Sequence, residues 1–284
     1  MGGLPGKKRH PSDHRSRINT KNGEVNKMGE TIYNLAFDFG ASSGRMILSK
    51  YADGKIELEE LHRFSNDPVR IGKNFYWDTF RLYHELKQGL KKAAARKLPI
   101  KSLAIDTWGV DFVCVGKDGN LLRQPYAYRD PHTVGAPEAL FSRISRSEVY
   151  GKTGIQIMNF NSLFQLDTLR RNHDSALEAA DKILFMPDAL SYMLTGEMVT
   201  EYTIASTAQL VNAQTRRLES ELLKAVGLSE KNFGRFVFPG EKVGVLTEEV
   251  QKITGLGAIP VIAVAGHDTG SAVAAVPALD RNFA

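Results

Sequence analysis

The texture of the chain changes at residue 31. Before it, apolar residues follow no period, whereas from Ile32 onward they recur with spacing two or near 3.6. Tyr33-Asn34-Leu35-Ala36-Phe37-Asp38-Phe39 reads as a buried strand that ends in the small-residue turn Gly40-Ala41-Ser42-Ser43-Gly44. Arg45 to Tyr51 alternates as a second strand, Asp53-Gly54 signals a hairpin, and Lys55 to Leu61 alternates again. Three antiparallel strands in a meander are the simplest arrangement of these segments.

Asp78 then caps a helix whose apolar face is Leu82, Leu86, Leu90 and Ala93, and Pro99 is expected to stop it. Ser102 to Ile105 is a short strand running into Asp106-Thr107-Trp108-Gly109, and Val110 to Val115 continues extended to the turn Lys117-Asp118-Gly119-Asn120. From about 133 to 230 the pattern is mostly helical, with one helix opened by Pro187 and closed by Gly196. Glu248 to Ile253 forms another helix, and Pro260 to Ala265 is an apolar strand leading at once into Gly266-His267-Asp268-Thr269-Gly270. Strands alternating with helices predict an α/β protein.

Length and composition leave room for a core. The 284 residues are 42% apolar and 24% charged, near the globular average. No run is long and apolar enough for a membrane helix, so no membrane association is expected. Residues 1–30 hold seven Lys or Arg against three acids, a net of +4 out of +5 for the whole chain. The positive charge therefore belongs to a segment expected to be a disordered basic tail, and a nucleic-acid partner is not expected for the folded part. That segment also lacks the apolar core of a secretory signal. With one cysteine, Cys114, and no intrachain disulfide, a cytoplasmic location is expected.

Three times an apolar strand ends in a turn bearing Asp and Gly: Asp38 with Gly40, Asp106 with Gly109, and Asp268 with Gly270. Ligands of open α/β sheets sit beyond the carboxyl ends of strands, so the three turns are expected to share one cleft. Ala41, Ser42, Ser43, Gly44 and Arg45 offer small residues and a cation, which suits close approach of backbone amides to phosphate, although an ordinary hairpin turn uses the same residues. Asp38 is a candidate Mg²⁺ ligand. Trp108 presents a face suited to a sugar ring, or else is a core tryptophan beside a bend at Gly109. Tyr126, Tyr128, Arg129 and Asp130 could reach the same cleft, or Arg129 and Asp130 could pair on the surface. Asp268 could accept a proton from a hydroxyl or serve as a helix N-cap. A Ser-His-Asp triad through Ser271 is rejected because no GxSxG elbow is present, and no HExxH or CxxC spacing indicates a metal cluster.

The ordered set Asp38-Phe39-Gly40-Ala41-Ser42-Ser43-Gly44-Arg45, Asp106-Thr107-Trp108-Gly109-Val110-Asp111, Tyr128-Arg129-Asp130 and His267-Asp268-Thr269 resembles the FGGY sugar-kinase family, and within it the kinases of L-rhamnulose. Gly154-Ile155-Gln156, Met186-Pro187-Asp188, Leu194-Thr195-Gly196 and Glu201-Tyr202-Thr203 add to the likeness, which covers residues 33–284. The resemblance implies an actin-like ATPase, ribonuclease-H-like domain with a mixed sheet flanked by helices. It also implies ATP and Mg²⁺, with ATP phosphates along Ala41, Ser42, Ser43, Gly44 and Arg45 and Mg²⁺ at Asp38. Gly109, His267, Asp268 and Thr269 would contact the ketose, and Asp268 would be the catalytic proton acceptor in making L-rhamnulose 1-phosphate.

Family members carry a second domain of similar size, so the chain is expected to be an N-terminal part: a tail over 1–30, a domain over 31–265, and the start of a hinge and second domain over 266–284. A missing C-terminal half is then the expected partner. Another ketose or polyol as substrate, or a non-catalytic sugar-binding remnant, are the alternatives. An actin-like structural ATPase would leave the His267-Asp268-Thr269 turn without a role.

Overall fold

In the computed structural model, residues 31–278 and Asp280 are described. The expected basic tail at 1–30 and the last few residues of the expected hinge lie outside the described residues. The meander forms as the alternation predicts: β1 (Ile32–Phe39), β2 (Ser43–Ala52) and β3 (Lys55–Ser65) pair antiparallel in sequence order. Asp53 and Gly54 both take positive φ at the β2–β3 turn, as a tight hairpin requires.

The sheet extends on the other side of β1. The strand Ile100–Thr107 lies parallel to β1, Pro260–Ile262 lies parallel to that, and Lys242–Val245 closes the edge antiparallel, giving a six-stranded mixed sheet. Helix α1 (Thr79–Ala95) covers one face. Asp78 accepts from the Arg81 amide at 3.0 Å as its N-cap, and Leu82, Leu86, Leu90 and Ala93 are all buried. Gly89 lets the helix sit close, since a Cβ there would come within 2.8 Å of the Phe37 ring. Burying each of those leucines stabilises the fold by roughly 1.5–3 kcal/mol. The helix ends at Ala95, ahead of Pro99, where Lys97 turns out with φ 53°.

A second apolar cluster lies under the helical region. The pair Phe112–Val115 and Lys182–Phe185 separates the two clusters by strict alternation. Val113, Val115 and Leu184 face the sheet cluster, whereas Phe112, Cys114, Ile183 and Phe185 face the other. Burial pushes the Cys114 thiol up to about 12, so it behaves as an inert apolar side chain.

Three expectations are corrected. The 133–230 region is interrupted by short strands, including Lys182–Phe185, Val199–Glu201 and the hairpin Val211–Asn212 with Arg217–Leu218. The predicted strand at 260–265 ends at Ile262. There pairing with the parallel strand Ile100–Thr107 lapses, and the Ala263 amide keeps only the edge side, bonding to the Glu241 carbonyl at 2.8 Å just ahead of Lys242–Val245. Arg129 and Asp130 do not pair: the Arg129 guanidinium lies 5.2 Å from the Tyr128 ring centroid, and Asp130 is buried, accepting from the Phe75 amide at 2.6 Å.

Candidate active site

The parallel strands place the three Asp-bearing turns at one edge of the sheet. Asp38 and Asp106 are register partners, as are Phe39 and Thr107. The Thr107 amide donates to the Gly266 carbonyl at 2.9 Å, and Thr107 bridges His267, so the third turn lies beside the second. The expectation of a shared cleft is met.

Two hollows meet there. One is a cavity of about 480 Å³, of the size that holds a small ligand, with Trp108, Tyr128 and Phe160 among its walls and Gly109, His267 and Asp268 at its polar side. The other is a polar cleft of about 560 Å³ bordered by Asp38, Gly40, Arg45, Asp106, Asp268 and Thr269. Asp268 borders both.

The walls of the cavity are tied together through Asp111. Its buried carboxylate accepts from the indoles of Trp77 at 2.6 Å and Trp108 at 2.9 Å, from the Tyr128 amide at 3.0 Å and from Gln165 at 2.9 Å. Burial outweighs these bonds and pushes the Asp111 carboxyl up to about 6. Trp108 is thus both things the sequence allowed: a core residue packed 4.2 Å from the Trp77 ring and a wall of the cavity. Between them, Val110 sits at φ 68°, a left-handed conformation costly for a β-branched residue. Its amide bonds to the Thr207 hydroxyl at 3.0 Å and its carbonyl accepts from Ser162, which hold the bend that aims Gly109 at His267. A Cβ on Gly109 would stand 3.3 Å from both His267 Nε2 and Thr207.

Asp268 opens a short helix, Asp268–Ala274, whose N-cap is His267, so Asp268 is not the cap the sequence allowed. Its Oδ1 accepts from the Thr269 amide at 2.6 Å and hydroxyl at 3.1 Å, and lies 3.4 Å from His267 Nε2. Its Oδ2 has no partner among the described residues. Burial lowers the His267 pKa, which keeps the ring neutral beside it at neutral pH.

Glu201 holds this turn from behind. It caps the helix Tyr202–Thr207 and also accepts from the Gly266 amide at 3.0 Å. Thr203, bonded to Glu201 at 2.7 Å, in turn accepts from the His267 amide at 3.4 Å. Burial raises the Glu201 pKa, as it does that of Asp188, whose carboxylate accepts from the Glu201 amide at 3.2 Å.

In the polar cleft, Arg45 donates twice to Asp38 Oδ2, at 2.8 and 2.5 Å, which leaves Asp38 Oδ1 outside the ion pair. Asp106 Oδ1 is buried without a hydrogen-bond partner. Burial, with Asp38 and Asp268 nearby, pushes the Asp106 carboxyl up to about 7. Hard oxygen donors of this kind suit Mg²⁺, which takes one or two carboxylates and fills its shell with water or phosphate oxygens. Among the described residues, no group of three or more His, Cys, Asp or Glu could hold a metal alone.

The expected phosphate turn is the β1–β2 hairpin tip. The Gly40 amide bonds to the Ser43 carbonyl at 2.9 Å, and Asn66 fixes the tip from the β3 end, its amide on the Ser42 carbonyl at 2.9 Å and its side chain on the Gly40 carbonyl at 2.8 Å. Among the described residues, the amides of Ala41 and Ser42 have no partner. Arg45 borders the polar cleft, Ala41 borders the apolar cavity, and Ser42, Ser43 and Gly44 border neither. Gly44 is glycine for packing, since a Cβ there would fall 2.1 Å from the Phe64 ring. Of the expected sugar contacts, Gly109, His267 and Asp268 line the cavity, whereas Thr269 lies on the polar side. Phe160, Asn161, Ser206 and Thr207 also line the cavity and carried no signal in the sequence.

The comparisons with known proteins agree with this architecture. The family model of the FGGY carbohydrate kinases, N-terminal domain, matches residues 33–275. The rhamnulokinase of Bacteroides thetaiotaomicron is 79% identical over 250 residues, 88% of this chain and 52% of the relative. That of Oceanobacillus iheyensis is 43% identical over 88% of this chain and 53% of its own. The chain thus spans about half the length of the curated relatives it matches. Among solved structures, a carbohydrate kinase from Novosphingobium aromaticivorans matches with TM-score 0.74 at 22% identity, covering 86% of this chain and 50% of that one. A gluconate kinase from Lactobacillus acidophilus matches with TM-score 0.73 at 17% identity, over 84% and 48%. These two show a shared fold, the actin-like fold with its mixed sheet flanked by helices. By the family match, this chain belongs to the FGGY family of carbohydrate kinases, matching its N-terminal domain.

Proposed function

We propose that this chain is the sugar-binding half of an ATP-dependent ketose kinase that makes L-rhamnulose 1-phosphate from L-rhamnulose. The observation that carries the reading is the position of Asp268 where a sugar-sized cavity meets an acidic, phosphate-suited cleft. The names of the relatives supply the sugar.

The C1 hydroxyl would lie against Asp268 Oδ2 with the sugar body on the aromatic wall of Trp108 and Tyr128. As that oxygen bonds to the terminal phosphorus of ATP, its proton passes to the Asp268 carboxylate and the bond to ADP breaks. His267, neutral beside Asp268, adds no cation that would weaken the base. The amides at Ala41 and Ser42 and the cation of Arg45 would steady phosphate oxygens, the main contribution a protein makes to phosphoryl transfer. Asp38, through Oδ1, and Asp106 would hold Mg²⁺, whose charge offsets that of the phosphates. A second domain of the size found in the relatives would close the cleft and exclude water. The division at residues 30 and 265, and a cytoplasmic location for a chain with one buried thiol, belong to the same proposal.

Calorimetric titration of the chain with L-rhamnulose tests the sugar site. Saturable binding that weakens when Gly109→Val fills the bend is expected, and no heat with any ketose would overturn the reading. A panel of other ketoses and polyols decides the sugar.

A further inference from the structure

The cavity has two ends, and its neighbours tell them apart. Asp268 is shared with the polar cleft, whereas Gln156 is shared with a separate surface hollow that also borders Arg146 and Tyr150. With the reacting hydroxyl at Asp268, the other end of a bound ketose faces the segment 155–160. That segment turns Ile155, Met158 and Phe160 to the cavity. Phe160 is braced edge-on against Tyr128, 5.6 Å between ring centroids at 60°.

The backbone of the segment is engaged elsewhere. The Ile155 carbonyl accepts from Gln209 at 2.9 Å, that of Gln156 from the Asn161 side chain at 2.9 Å, that of Met158 from the Asn161 amide at 3.0 Å, and that of Phe160 from Gln165 at 2.8 Å. Gln209 and Gln165 are both buried, so these bonds fix the segment from inside. Nearby hydroxyls are also used: Ser206 donates to the Thr203 carbonyl at 2.7 Å and Thr207 to that of Ile204 at 2.7 Å. The polar groups left to this end are the exposed Gln156 side chain on the rim and the side-chain oxygen of Asn161, which accepts no hydrogen bond among the described residues.

We propose that this end of the cavity receives the methyl terminus of a 6-deoxyketose and favours it over the hydroxymethyl terminus of the same ketose. Met158 and Phe160 determine that preference. The inference rests on the reading of the cavity as a ketose site with its reacting hydroxyl at Asp268. A methyl group gains contact with three apolar side chains, whereas a hydroxyl placed there gives up water and finds the backbone carbonyls of the segment already engaged. A pocket of this kind discriminates by about tenfold to a hundredfold, the range for one small group in an apolar site.

The test compares L-rhamnulose with L-fructose, its 6-hydroxy counterpart, by calorimetry on the full 284-residue chain. L-fructose can close a six-membered ring through that hydroxyl and L-rhamnulose cannot, so the ratio of affinities is also compared between wild type, Met158→Gln and Met158→Leu. Met158 is 37% exposed, so neither change threatens the fold. The expected result is L-rhamnulose tighter by about tenfold in wild type and Met158→Leu, with the ratio falling to about threefold or less in Met158→Gln. Equal affinities in wild type, or the same ratio in Met158→Gln, overturn the inference and leave the ketose site standing: the first would mean that a polar group at this end serves the terminal hydroxyl, the second that Met158 does not set the preference. Binding of neither sugar overturns the ketose site and the inference with it.

Discussion

Replacing Asp106 by asparagine should stabilise the protein above neutral pH, although the change falls in the candidate active site. Asp106 titrates near 7 in the folded chain, against the ordinary 3.8, because burial and the neighbouring Asp38 and Asp268 carboxylates disfavour its charge. Between those two values the folded state holds a proton that the unfolded state has released, so stability falls as pH rises through that window. At pH 8, with both states ionised, the full difference corresponds to on the order of 4 kcal/mol against the folded state. The cleft is open to water and salt, which screens the repulsion, so about 2 kcal/mol is the expected net effect. Urea unfolding without divalent cations, at pH 4.5 and pH 8, measures it. The wild type should lose about 2 kcal/mol relative to Asp106→Asn between the two conditions. Other raised carboxyls, Asp111, Asp188 and Glu201, add the same slope to both proteins and cancel in the difference. An asparagine variant less stable than wild type at pH 8 would refute the claim that this carboxyl is electrostatically strained. Adding Mg²⁺ should stabilise wild type more than the variant, because the cation neutralises the same repulsion.

Other positions give separate checks. Gly44→Ala should lower stability by about 1–3 kcal/mol, seen as a drop in Tm, because its Cβ would overlap the Phe64 ring; an unchanged Tm would contradict the packing. Glu201→Gln should cost about 2 kcal/mol by misdirecting one of its four donors, and amide exchange should accelerate at Gly266 and His267 ahead of the sheet. Protection left intact there would show that Glu201 does not hold the turn. Asp111→Ala leaves two buried indole N–H groups unpaired and should cost about 3 kcal/mol or more, with tryptophan fluorescence shifted because both Trp77 and Trp108 lose their partner.

What could be read from the chain in advance was what local pattern encodes. The β1–β3 meander follows from strict alternation and the Asp53-Gly54 turn. The helix closed by Gly196 follows from Pro187 inside its first turn and a residue able to take φ 76° after its last. The three Asp-bearing turns could be gathered at one edge because parallel strands put their carboxyl ends together. The back of the site was not legible in this way. Glu201 reaches the Gly266 amide across 65 positions, and no period or spacing links them. Val110 has no local reason for a positive φ; the Thr207 and Ser162 hydroxyls, distant in sequence, impose it. The segment 155–160 falls in a stretch expected to be mostly helical; it is irregular instead, and its apolar display depends on carbonyls captured by Asn161, Gln165 and Gln209.

The central claim concerns a single proton. A chimera joining residues 31–278 of this chain to the C-terminal half of the Bacteroides thetaiotaomicron relative, assayed for ADP release dependent on L-rhamnulose, tests it most directly. The chimera should turn over, and Asp268→Asn should lower its kcat by about a thousandfold or more while the affinity for L-rhamnulose stays within a few-fold. Near-normal turnover in that variant would contradict the account.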